Sequence, residues 1–165
     1  MANILKSLFR KTRPAPAARP RAGAGTAPAQ RTPRPTRHLP KPRGGRHLEY
    51  SPNLDGDADP GEIVWTWVPY EDDPSQGKDR PVLVVGRNGH DVYALMLSSQ
   101  SEHDGRRNWL ALGPGAWDRE HRPSWIRLDR VLDIDGDGIR REGAILDRGR
   151  FDRVAAQLRK GYGWA

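Results

Sequence analysis

Residues 60–87 read PGEIVWTWVPYEDDPSQGKDRPVLVVGR. Within this stretch Glu62–Val68 is short, β-branched and aromatic and stops at Pro69, the signature of a strand. Pro81–Val85 is a continuous apolar run of strand length, as a strand buried on both faces requires. The segment between them holds two prolines, a glycine and four acidic residues, so it reads as a polar loop. Two strands joined by such a loop make a β-rich domain the expectation, and the flanking sequence extends it.

Toward the C-terminus, Asn88-Gly89 is a turn signal. Val92–Leu97 follows as a third strand and runs out into Ser98-Ser99-Gln100. Trp109–Leu112 reads as a fourth strand. The segment SWIRLDRVLDID (124–135) reads as a fifth, with Ile126, Leu128, Leu132 and Ile134 on one face and Trp125, Arg127, Asp129, Val131 and Asp133 on the other. Arg130 interrupts the apolar face, which places a bulge or a strand end there. Phe151, Val154, Ala155 and Leu158 recur at helical spacing, with Asp147 or Asp152 as the cap and Gly161 as the stop. Short strands closed by one helix predict a mainly β fold, a small antiparallel barrel of about five to seven strands. No internal repeat is visible.

Toward the N-terminus the texture changes. The chain has 165 residues, 28 Lys+Arg and 21 Asp+Glu, for a formal net charge of +7. Residues 1–48 hold 12 of the basic residues, eight of the 15 prolines and no acid, which leaves the remainder at −5. The tail has too little apolar surface to offset its ordering entropy, so disorder is expected over 1–48, then an acidic linker over 49–58 and the folded domain over 59–165. The first dozen residues, MANILKSLFRKT, suit either a transient helix in a basic extension or the start of a transit peptide, and the Arg-, Ala- and Pro-rich composition favours the extension. No apolar run approaches the ~20 residues of a membrane-spanning helix. The absence of cysteine excludes disulfides, thiolate metal sites and cysteine nucleophiles.

Several patterns imitate chemistry. Asp133, Asp135, Asp137 and Gly138 begin like a calcium loop, but the twelfth position is Ala144 where a bidentate Glu belongs. Asp55, Asp57 and Asp59 do the same, with Thr66 in the twelfth place. Both read as solvated turns. His38, His47, His90, His103 and His121 contain no pair at helical spacing, so no metal or cofactor is expected and each reads as a surface residue. Gly113-Pro114-Gly115 lacks the Lys-Ser/Thr of a phosphate loop and reads as a turn.

Three polar clusters remain: Gln76-Gly77-Lys78-Asp79-Arg80-Pro81, entering the second strand; Ser98-Ser99-Gln100, leaving the third; and Arg127 with Asp129, on one face of the fifth. Each alone has an ordinary reading, as a hairpin loop, a polar strand exit and a surface ion pair. Taken in order, they resemble the PemK/MazF family of bacterial toxins. That family opens with a Gly-Asp/Glu-Ile/Val strand, matched by Gly61-Glu62-Ile63-Val64. A loop ending Gln-Gly-x-x-Arg-Pro and an apolar strand follow, matched by Gln76 through Val85. Its third strand ends in Thr or Ser, as at Ser98, and its later strand is similar to Ile126-Arg127-Leu128-Asp129 through Ile134-Asp135. The resemblance covers roughly 59–160.

The resemblance implies an SH3-like barrel of the kind shared by PemK, MazF and the gyrase-poisoning toxins. It also implies a cytoplasmic homodimer with a cognate antitoxin as partner. Its implied activity is a metal-independent, sequence-specific endoribonuclease acting on single-stranded RNA. Attack of a ribose 2′-OH on the adjacent phosphate needs a base, an acid and positive charge on the phosphoryl oxygens. By the resemblance Arg80 contacts the phosphate and donates the proton, Ser98 positions an oxygen, Asp129 is the base and Arg127 a second phosphate ligand. Gln76, Gly77, Lys78, Ser99, Gln100, Arg106 and Arg107 are the expected RNA-binding residues. Trp109 and Trp117 are candidates for base stacking, although core packing is the commoner role. The family's loop often carries an acid just before Gln-Gly; here Pro74 and Ser75 stand there, with Glu71, Asp72 and Asp73 upstream. A nuclease-inactive barrel that binds nucleic acid or protein is therefore the alternative. The basic tail would supply non-specific contact with DNA, RNA or an anionic surface.

Overall fold

The apolar runs lie side by side as β2 (Glu62–Pro69), β3 (Gly77–Asn88) and β4 (Asp91–Ser98). In this computed structural model the described residues are 32–40 and 45–165. Around the central three are β1 (Arg37–Leu39), β5 (Trp109–Gly113), β6 (Ser124–Arg127), β7 (Val131–Ile134), β8 (Ile139–Ile145) and one helix, α1 (Arg148–Gly161). The strand order is β1-β7-β4-β3-β2-β8, with β6 on β4 and β5 on β6, every pairing antiparallel. This mostly antiparallel, barrel-like sheet with a C-terminal helix is the expected fold class, extended by β1 and β8, which the sequence did not announce.

The central strands are buried on both faces. Val82 and Val84 of β3, with Val92, Ala94 and Met96 of β4, pack toward Val64, Val68, Leu132 and Ile134. The alternate residues Leu83, Val85, Leu95 and Leu97 pack toward Ile126, Leu146 and the helix. The helix buries Phe151, Val154, Ala155 and Leu158, the stripe expected of it. Burying each of the larger three stabilises the fold by roughly 1.5–3 kcal/mol. Asp147 is the cap, its carboxylate accepting from the Arg150 amide at 3.0 Å. Gly161 is not the stop: it is the last helical residue, and the left-handed position is Gly163, at φ 74°.

The segment 124–135 is two strands. Along β4 the register steps from Ala94↔Leu132 to Leu97↔Ile126, so three steps along β4 correspond to six along the β6–β7 segment. The excess is taken up at Leu128–Arg130, where the end anticipated at Arg130 falls. Arg130 turns inward to 5% exposure and donates to the Pro69 carbonyl at 2.9 Å, tying the end of β2 to this break.

The polar N-terminal expectations need correction within the described residues. Part of the presumed disordered tail is built into the sheet, because β1 pairs with the edge of β7, Arg37 facing Asp133. Arg37 reaches Asp133 at 2.7 Å, and Arg34 reaches Asp91 at 2.7 Å and Asp133 at 3.2 Å. Residues 49–58 are not a free linker either. The Glu49 amide donates to Val85, the Tyr50 hydroxyl to the Leu146 carbonyl at 2.7 Å, and the Asn53 amide to the fully buried Glu62 carboxylate at 2.8 Å. The compact unit accordingly begins at Thr32. The helix expected at residues 1–12 and the disorder expected of 1–31 and 41–44 lie outside the described residues.

Asp133 and Asp135 are not solvated turn residues: both are buried. Asp135 accepts from the Arg34 amide at 2.9 Å and the Asp137 amide at 3.1 Å. Asp59 of the upstream acidic repeat is also buried and is paired with Arg87.

Candidate nucleic-acid interface and active site

β3 enters the sheet through Lys78, Asp79 and Arg80, whose partners on β2 are Val68, Trp67 and Thr66. β4 leaves the sheet at Ser98, which lies opposite Trp125 of β6. Because Val82 faces Met96, continuing that register two residues brings Arg80 beside Ser98. The two side chains share one cavity of about 400 Å³, together with Lys78, Ser99 and Gln100. Trp65 and Trp117 form its wall. The Trp65 indole donates to the Trp117 carbonyl at 3.1 Å, and the buried Trp117 indole donates to Ser124 Oγ at 3.1 Å. Trp117 is thus a core residue and not an open stacking platform.

Arg80 is half-buried, and among the described residues no carboxylate pairs with it. Burial lowers its pKa; Tyr70 opposes that and the Arg130 cation adds to it. An arginine so perturbed is still charged at neutral pH. Ser98 is buried, and its Oγ accepts from the Gln100 amide at 3.3 Å. That bond uses a lone pair and leaves the O–H as a donor toward the cavity. A cation without a counter-ion beside a hydroxyl donor is an anion site in chemical terms.

Arg127 and Asp129 are placed differently. Arg127 Nε donates to Asp129 Oδ1 at 2.8 Å, and its Nη1 and Nη2 grasp Glu71 at 2.6 and 3.1 Å. The hydrogen bond to Asp129 raises the Arg127 pKa most; burial opposes this and the bond to Glu71 adds to it. The Glu71 carboxyl is held below its ordinary value, chiefly by its hydrogen bond from Arg127. Glu71 was not among the expected site residues. It is one of the three acids upstream of Pro74-Ser75, and the fold brings it onto Arg127.

The expected RNA-binding residues divide. Gln76 is tied to its own loop, its amide nitrogen bonded to Asp73 at 2.9 Å. Gly77 has a packing reason: a Cβ there would meet the Val68 carbonyl at 2.3 Å and the Trp67 ring at 2.7 Å. Neither lines the Arg80 cavity. Arg106 and Arg107 are exposed on the loop after β4. Arg107 borders a separate cavity of about 570 Å³ with Asp129, Asn108 and Tyr162. The smaller cavity is the better candidate centre, because it joins the unpaired arginine to the serine.

His103 was read as a surface residue. Its ring instead stacks on Trp109, centroids 3.7 Å apart and planes at 9°. Burial lowers its pKa, Arg106, Arg127 and Arg80 add to the shift, and Glu102 opposes it. No spacing rule finds such a residue, since its neighbours come from three strands and a loop. His90, Asp135 and Asp137 bring potential ligand atoms within 4.8 Å of one another, although Asp135 already accepts two backbone amides.

Among the described residues no helix is long and apolar enough to cross a membrane. No curated protein matches the chain. Residues 59–162 match the family model described as the PemK-like, MazF-like toxin of type II toxin-antitoxin systems, a span that takes in the Arg80 cavity and the Arg127 cluster alike. By that match the chain belongs to the PemK-like, MazF-like toxins.

Proposed function

We propose that this toxin is a metal-independent endoribonuclease that cuts single-stranded RNA, holding the phosphate at the Arg80–Ser98 cavity and drawing its base from the neighbouring Arg127–Asp129 cluster. The observation that carries the reading is the meeting of an unpaired, half-buried arginine with a buried serine in one cavity. Arg80 and Lys78 neutralise the phosphoryl oxygens, and the Ser98 hydroxyl donates to one of them. The ribose 2′-oxygen bonds to phosphorus while the bond from phosphorus to the 5′-oxygen breaks. The 2′-hydroxyl proton passes to Asp129, and the leaving oxygen takes a proton from Arg80, whose acidity burial increases. Incoming phosphate competes with the carboxylates for Arg127 and so releases Asp129 to act as base.

The molecule acts as a homodimer, and a segment of the antitoxin covers the same cavity. The basic tail adds non-specific contact with nucleic acid or an anionic surface. A mixed-sequence RNA incubated with the full chain in EDTA is expected to be cut by wild type and not by Arg80→Ala. Equal cutting by both defeats the assignment.

One observation favours a second reading, a nuclease-inactive binding module. Arg127 is already closed by Glu71 and Asp129. In that case wild type binds RNA without cutting it, and induced expression causes no growth arrest that Arg80→Ala relieves.

A further inference from the structure

The loop after β4 starts at the cavity with Ser99 and Gln100 and is fastened further on to β5 and β6. Asp104 accepts from the Trp125 indole at 3.2 Å, and Trp125 lies opposite Ser98. His103, its neighbour, lies flat on Trp109, and Trp109 lies opposite Arg127. The loop closes at Asn108, in the left-handed region at φ 67°, where its carbonyl accepts from the Leu128 amide at 2.8 Å. The His103 ring is thereby held over Trp109 at the Arg127 end of the interface, outside the lining of the Arg80 cavity.

Its two nitrogens are not equivalent. Nδ1 is buried with no hydrogen-bond partner among the described residues. A bare lone pair is better tolerated there than an orphaned N–H, so the neutral ring carries its proton on Nε2. Besides burial, which lowers its pKa, the charged groups that shift it are Glu102, which raises it, and Arg106, Arg127 and Arg80, which lower it. The adjacent Asp104 carboxylate is turned to the Trp125 indole. That balance, with burial, keeps the ring neutral at physiological pH.

We propose that His103 is a further catalytic residue of the RNA cleavage, donating a hydrogen bond from neutral Nε2–H to a phosphoryl oxygen between Arg80 and Arg127. The inference rests on the endoribonuclease reading. His103 transfers no proton, so the bond changes and proton movements stated above are unaltered. Its hydrogen bond strengthens as negative charge gathers on the phosphoryl oxygens. Neutrality suits this role, because a neutral imidazole offers one fixed donor and remains neutral beside the arginines.

The test uses the full chain, a single-stranded RNA oligonucleotide and EDTA, with Arg80→Ala, His103→Phe and His103→Gln. Phe keeps the stack on Trp109 and removes the donor, whereas Gln restores an N–H. His103→Phe is expected to lower kcat about a hundredfold with little change in KM. His103→Gln is expected to recover about tenfold of that loss. Nitrogen NMR of the wild-type ring is expected to show the neutral form protonated at Nε2 at pH 7. Wild-type kcat in His103→Phe, no recovery in His103→Gln, or a ring protonated at Nδ1 each overturns the proposal. If His103→Phe does not fold, the Gln variant and the ring tautomer decide. Cutting by Arg80→Ala at the wild-type rate overturns the endoribonuclease reading itself. Loss in Arg80→Ala with full activity in His103→Phe overturns only the role of His103.

Discussion

Arg80 and Arg127 are the same side chain in two electrostatic settings. Arg80 projects from β3 into a cavity with Ser98 and Lys78. Asp79 and Asp118 also line it but pair with Arg140 and Arg122, and among the described residues no carboxylate pairs with Arg80. Arg127, on β6, is held by Glu71 at 2.6 Å and Asp129 at 2.8 Å. The first has no ion pair among the described residues for a substitution to break, and on the proposed reading it is left for an outside anion. The second already has its anions, and on the proposed reading an RNA phosphate must compete for it. The domain's net negative charge therefore does not preclude nucleic-acid binding, because what counts is which cation lacks a partner.

The largest expected effect breaks the Arg80 side of this comparison. Arg80→Ala should reduce RNA cutting by about a hundredfold or more. Since no ion pair is lost, thermal stability should stay within about 1 kcal/mol of wild type. A cleavage assay and a melting curve on the same preparation check both halves. Next comes the cavity wall. Ser124→Ala leaves the buried Trp117 indole N–H without its acceptor and should cost about 1–3 kcal/mol in denaturant unfolding. An unchanged midpoint would show that Trp117 finds another acceptor.

The Arg127 side should respond more weakly, because Glu71 is more than half exposed. Glu71→Gln should cost at most about 1 kcal/mol of stability and raise affinity for a non-cleavable 2′-deoxy oligonucleotide by up to about fivefold. Titration at low salt measures the gain, and Arg127→Ala should abolish it. The smallest effect is in pH. The folded Glu71 carboxyl lies below its ordinary value of 4.5, so its stabilising contribution is present above that pH and is lost as pH falls through the lower folded value. The difference in melting temperature between wild type and Glu71→Gln should be full at pH 7 and vanish in strong acid. A difference that persists there would assign it to packing.

The legible parts of the molecule depend on local periodicity. β2, β3, β4 and β5 follow from apolar runs and turn residues. The hairpin after β3 falls at Asn88-Gly89, with Gly89 at φ 64°. The helix stripe was legible for the same reason, whereas its stop was not: Gly161 offered the right residue type, but the positive φ fell on Gly163. β8 escaped because Ile139–Ile145 carries Arg140, Arg141, Glu142 and Gly143 between its apolar residues, so no alternation is visible. β1 escaped because its acidic partners lie about a hundred residues away, and composition alone describes a proline- and arginine-rich stretch as tail. At the site, the family resemblance singled out Arg80 and Ser98, and the fold brings the two into one cavity. Neither Glu71 nor His103 was singled out.

By itself, the sequence determined the antiparallel β class, the terminal helix and the order of the polar clusters. These depend on side-chain periodicity over a few residues, which the backbone geometry of strands and helices translates directly. Tertiary structure alone decided which arginine is unpaired, which loop acid reaches Arg127, why Asp133 and Asp135 are buried, and how His103 comes to lie on Trp109. Those outcomes depend on charge pairing and desolvation between segments distant in the chain. Such energies are set only when the strands have brought the groups together.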